Sequence, residues 1–96
     1  MVVFKDLKFH EKRSVMKTWR YKILSKAHEL LADDGFNVSE SSLRRYVEYL
    51  LEDTHYNVQD NVFYEPISHF KFTVNSFAQI TYDYVLEHLD EFKNKR

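Results

Sequence analysis

Residues 35 to 51 read "GFNVSESSLRRYVEYLL", and the way this stretch folds decides how the rest of the chain is arranged. Gly35 follows a long periodic segment and suits the left-handed turn that closes a helix. Asn37 or Ser39 can accept a backbone N–H at the start of the next helix, and Glu40 favours the positive end of its dipole. Leu43, Tyr46, Val47, Leu50 and Leu51 then recur at three- and four-residue intervals, which predicts an amphipathic helix over about 39–53. Ser41, Ser42, Arg44, Arg45, Glu48 and Tyr49 fall outside that apolar stripe.

Upstream, Val15, Met16, Trp19, Ile23, Ala27, Leu30 and Leu31 keep helical spacing from Lys12 to Asp33, with no Gly or Pro to divide the run. The opening "VVFKDLKF", residues 2–9, alternates enough to predict a short strand. Downstream, "HYNVQDNVFYEPISHFKFTVN" is rich in Val, Phe and Tyr. It predicts a hairpin with strands near 61–65 and 69–74 and a turn at Glu65, Pro66, Ile67 and Ser68. Asn75 or Ser76 caps a last helix whose stripe is Phe77, Ile80, Thr81, Tyr84, Val85, His88, Leu89 and Phe92, ending in a basic "KNKR" that frays. The expected fold is therefore α+β: one helix-rich domain over 1–96, in the order strand, helix, helix, hairpin, helix. Its helical core spans 12–53, its hairpin 58–74 and its C-terminal helix 75–93.

Composition narrows the function classes. Ninety-six residues, 44% hydrophobic, fit a single core. With no cysteine there is neither a disulfide nor a thiolate metal site. One glycine leaves no phosphate-cradling loop, and five scattered histidines have no ligand spacing, so neither metal nor cofactor is expected. No serine sits in a glycine-flanked elbow, and the paired acids lie at helix ends, so the chain does not read as an enzyme. The Asn37-Val38-Ser39 sequon is assigned to helix capping. No run reaches the length of a membrane span and no secretory leader is visible, so a cytoplasmic location is expected.

The net charge of −1 conceals a division along the chain. Residues 1–28 hold eight Lys or Arg against Asp6 and Glu11, whereas 29–65 hold nine acids against Arg44 and Arg45. Such a division makes a basic surface for a polyanion, or two segments that neutralise each other on folding.

"LLADDGFNVSESSLRRYVEYLL" resembles the second and third helices of winged helix-turn-helix DNA-binding domains, most closely the arginine-repressor type. The residues that carry the likeness are Gly35, Val38 as the buried turn residue, Ser39 as cap, Ser42 and Leu43 inside, Arg45 facing out, then Val47 and Leu50 inside. The resemblance covers about residues 30–51, and on it the hairpin stands where the family has its wing. It implies a small double-stranded DNA-binding transcription regulator whose recognition helix is 39–53. Arg44 and Arg45 would read bases beside Ser41, Ser42 and Tyr49, and Lys17, Arg20, Lys22 and Lys26 would hold phosphates. The sequence departs from the family in its undivided first helix, in Glu40, Glu48, Glu52 and Asp53 on the reading helix, and in a wing whose one cation is Lys71. The alternative reading is a non-catalytic adaptor or inhibitor that docks on a larger protein or nucleoprotein complex. It would use an aromatic and acidic surface, with Tyr49, Tyr56, Tyr64 and Tyr82 at its edge. The wide stripe of the last helix suggests a homodimer through it.

Overall fold

A computed structural model describes residues 2–93. The chain runs β1 (Val2–Val3), a 3-10 turn (Phe4–Asp6), α1 (Phe9–Asp33), α2 (Glu40–Glu52), β2 (His55–Asn57), β3 (Val62–Tyr64), β4 (Lys71–Phe72), α3 (Val74–Glu87) and α4 (Leu89–Phe92). The four strands form one antiparallel sheet in the order β1-β2-β3-β4. The α+β class and single helix-rich domain are as expected; the sheet is a three-stranded meander, β2-β3-β4, with the N-terminal strand paired to β2, where a hairpin and an N-terminal strand are expected.

α1 is a 25-residue helix whose buried residues Met16, Ile23, Ala27 and Leu31 lie on one stripe. It stops in a Schellman turn: Phe36 N–H donates to Leu31 O, Gly35 N–H donates to Ala32 O, and Gly35 takes a φ of 81°. The returning α2 lies antiparallel to α1, since Lys12 pairs with Glu52 and Arg20 with Glu48. α3 packs along the other side of α1 and carries Phe77, Ala78, Thr81 and Val85 inward.

Two core clusters divide the molecule lengthwise. At the sheet end, Phe4, Met16, Ile23, Val47, Leu51, Tyr56, Phe63 and Phe77 pack together. At the other end lie Ala27, Leu31, Val38, Leu43, Ala78, Val85 and Phe92. The sheet presents Tyr56, Phe63 and Phe72 inward, cross-strand neighbours in register, and His55, Tyr64 and Lys71 outward.

Three boundaries differ from the sequence reading. The first strand is two residues long, because Phe4 leaves the extended path to bury completely between Tyr56 and Phe63, and its N–H donates to Thr54 O. The last helix breaks at His88, which takes φ −131° and ψ 40°. That break turns the chain so that Phe92 packs against Tyr46 and Tyr84 and its carbonyl accepts from Ser39 N–H at 2.6 Å. Its cap is Thr73, whose Oγ1 accepts from Ser76 N–H at 3.0 Å. Residues 94–96 of the basic tail lie outside the described residues.

The third difference alters how the hairpin relates to α2. The strand β2 is absent from the sequence reading, and its pairing makes 62–72 the second hairpin of the meander. The turn at 65–70 is therefore brought back beside Thr54, at the C-terminal end of α2, while the turn at 58–61 occupies the far end. That far turn packs on α1, where Asn61 Oδ1 accepts from Trp19 Nε1–H and from the Tyr56 hydroxyl.

Candidate nucleic-acid interface

The start of α2 is held from both sides. Val38 is buried and bridges to Lys93, and Ser39 Oγ accepts from Ser42 N–H at 3.4 Å while sharing a hydrogen bond with the Ser41 hydroxyl. Leu43, Val47 and Leu51 then fix one face of the helix in the core with no exposure. Burying that face turns Ser41, Arg44, Arg45 and Tyr49 to solvent, with Tyr49 64% exposed, and leaves Ser42 half-buried.

Charge on this face is graded along the axis. After Glu40 at the start, Arg44 and Arg45 lie in the first half, and Glu48, Glu52 and Asp53 follow. A helix C-terminus favours cations, so acids there oppose the dipole and need outside partners. Glu52 finds Lys12 at 3.4 Å. Glu48 finds two: Arg20 at 3.0 Å and Arg44 at 3.6 Å. Arg44 keeps 60% of its side chain exposed, whereas Arg20 keeps 29%. Among the described residues Arg45 has no ion pair.

The four phosphate candidates on α1 do not share a surface. Arg20 faces α2 through Glu48, and Lys17, three residues earlier, lies on the same side. Around the helix, Lys22 is separated from Arg20 by about 160° and Lys26 by about 120°. Lys26 pairs locally with Glu29 at 3.7 Å. Two other cations take their place, because Lys12 and Arg13 line a groove of about 210 Å³ between α1 and α2 with Phe9, Met16, Glu48 and Glu52. Arg13, Lys17 and Arg20 fall at i, i+4 and i+7, a stripe legible in the sequence. The α1/α2 face thus gathers five cations, Lys12, Arg13, Lys17, Arg20 and Arg44, against Glu40, Glu48 and Glu52, while Arg45 lies on the other flank of α2, toward α4.

The surplus aromatic surface is smaller than composition suggests. Tyr56 is 2% exposed, and burial followed by the charge of Glu11 pushes its phenol up. Tyr82 is half-buried, and its hydroxyl donates to the Asp34 carboxylate, which raises its pKa. Tyr64 is half-buried on the outer sheet face. Of the four tyrosines expected at the edge, Tyr49 alone is freely exposed. The other large apolar side chains that stand in solvent among the described residues are Phe9, Tyr21, Val58, Ile67, Phe70 and, least of all, Leu86.

The wide stripe of the last helix is accounted for within the chain: Phe77, Ala78 and Val85 enter the cores, Tyr84 stacks on Tyr46, and Phe92 closes the second cluster. A concavity of about 480 Å³ lies between the first half of α1 and the 58–61 turn. Its central amide oxygen, on Asn61, is already engaged by Trp19 and Tyr56. Among the described residues no helix is long and apolar enough to cross a membrane. No protein-family model, no curated protein and no solved structure matches this chain.

Proposed function

We propose that this protein is a small DNA-binding regulator that presents the first half of α2 to duplex DNA. Arg44 and Arg45 approach base edges, and Arg13, Lys17 and Arg20 hold phosphates. The reading is carried by the five-cation α1/α2 face, with Arg45 on the adjoining flank of α2, an electropositive surface on a chain whose net charge is −1. The charge grading of α2 gives the approach its direction, since the acidic second half has to stay clear of the backbone while the capped first turn enters the groove. Lys22 and Lys26 take no part.

The test is a mobility shift with random-sequence duplex at low salt, repeated near physiological salt. Binding should fade steeply as salt rises, because a phosphate surface releases counterions. On a selected target, Arg45→Ala should cost about 1–3 kcal/mol of discrimination. No shift at low salt ends the reading.

A second reading, docking on a protein, is favoured by the 65–70 turn. There Ile67 is 87% exposed and Phe70 53%, beside the acidic end of α2. Glu65 Oε2 accepts from the N–H groups of Ile67 and Ser68, and Ser68 Oγ accepts from Phe70 N–H, so the apolar pair is held outward on a pinned loop.

A further inference from the structure

A groove of about 360 Å³ opens between α2 and α4, beside Arg45. Its walls are Tyr46, Tyr49, Tyr84 and Phe92, with Ser42 at one end. Tyr46 and Tyr84 stack at 4.1 Å with 13° between planes, and His88 continues the column at 4.1 Å and 19°. Phe92 meets both tyrosines edge-on. The column fixes the walls in place. Tyr49, 64% exposed, stands free at the mouth, and among the described residues the hydroxyls of Tyr46, Tyr49 and Tyr84 have no hydrogen-bond partner.

Flat rings, unengaged phenol hydroxyls and one unpaired guanidinium suit a ligand that is itself a flat ring joined to an anion. Every unstacked nucleotide has that chemistry: the base lies against aromatic side chains and its phosphate meets an arginine. Glu91, the acid on the rim, repels phosphate, so the strand's backbone has one favourable route, along the Arg45 side. The acids that follow on α2 act the same way. A duplex lying the length of that helix brings two phosphate rows toward Glu48, Glu52 and Asp53, whereas a single strand crossing the first half meets Ser41, Ser42, Arg45 and Tyr49.

We infer that this groove binds an unpaired base of single-stranded nucleic acid, stacked on Tyr49 with its phosphate held by Arg45. The inference rests on the nucleic-acid reading of α2 and adds the strandedness of the ligand. In this site Arg45 takes the phosphate and Tyr49 the ring of the unstacked base.

Fluorescence anisotropy with labelled strands of about eight nucleotides, inside the ~4–16 that single-strand sites span, tests this against a blunt random duplex. The chain itself, Tyr49→Ala and Tyr49→Trp are compared. The single strand should bind, Tyr49→Ala should weaken it roughly fivefold or more, and Tyr49→Trp should retain it. Binding of either the DNA or the RNA strand is support and identifies the sugar accepted. Duplex binding without single-strand binding overturns this inference and leaves the duplex reading standing. Single-strand binding indifferent to Tyr49→Ala also overturns it, and loss of both ligands from the unmodified chain removes the two together. Because Tyr49 is outside the core, its variants report binding rather than folding.

Discussion

Arg20 of α1 donates from Nη1 to Glu48 Oε1 of α2 at 3.0 Å, and this contact sets the charge of the surface between the two helices. The same oxygen lies 3.6 Å from Arg44, so one carboxylate moderates two of the cations assigned to a nucleic acid. An exchange follows, in which the pair orders the helix seam and lowers its positive potential.

Replacing Glu48 by Gln should therefore tighten duplex binding at low salt, by releasing Arg20 for phosphate and Arg44 for base edges. The cost to stability should be modest, ~0.2–1 kcal/mol, because the pair is only partly sheltered from water. Titrations at two salt concentrations and a denaturant midpoint check both halves. Weaker binding by the variant would mean Glu48 positions those arginines rather than restraining them.

Gly35→Ala tests the corner. A Cβ at Gly35 meets nothing within 4 Å, so any penalty comes from the backbone φ of 81° alone. The expected loss is about 1–2 kcal/mol in a chemical-denaturation curve. Gly35→Asn should lose less, since Asn tolerates the left-handed region.

Glu65 supplies a pH dependence confined to one turn. Its carboxylate accepts backbone and side-chain hydrogen bonds from Ser68 and a backbone one from Ile67, which lowers its pKa from 4.5, with His69 adding a weaker electrostatic pull. A carboxyl lowered on folding contributes order above its unfolded value and loses it as the pH falls through the folded one. Amide resonances of Ile67, Ser68 and Phe70 should thus hold steady at neutral pH and shift together below about pH 4.5. Glu65→Gln should abolish that transition while leaving α2 unaffected.

Phe63→Ala should be the most damaging of these changes. Phe63 has no exposure and touches the rings of Phe4, Trp19, Tyr56 and Phe77. A loss of about 3–5 kcal/mol is expected from urea unfolding, a large part of the ~5–15 kcal/mol that holds a typical domain together.

The helices are legible in the sequence because their signals are local and repeated. The α2 stripe, its Ser39 cap and the Gly35 stop each follow from neighbouring residues, and the structure agrees with all three; the turn expected at 65–68 is a longer loop, closed by the Glu65 N–H on Phe70 O. β2 is not legible: three residues, His55-Tyr56-Asn57, have no period of their own and become a strand only through β1 and β3. The break at His88 is equally non-local, since helical spacing continues unbroken through Phe92 and the cause is a carbonyl needed at Ser39. At the candidate interface, the outward set of α2 can be read by counting residues. Lys17, Arg20, Lys22 and Lys26 are neighbours in sequence, but rotation about the helix axis divides them, and the stripe that survives rotation is Arg13, Lys17 and Arg20. The partnerships of Glu48 and Glu52 depend on how α1 and α2 cross, which no local pattern encodes.

The Phe92 carbonyl on Ser39 N–H and the Val38–Lys93 bridge join the end of the described chain to the corner between α1 and α2. Translation delivers the corner more than fifty residues before its fastener. A nascent chain therefore exposes the α1/α2 surface with its first turn unfastened, and the surface acquires its final shape only when α4 docks.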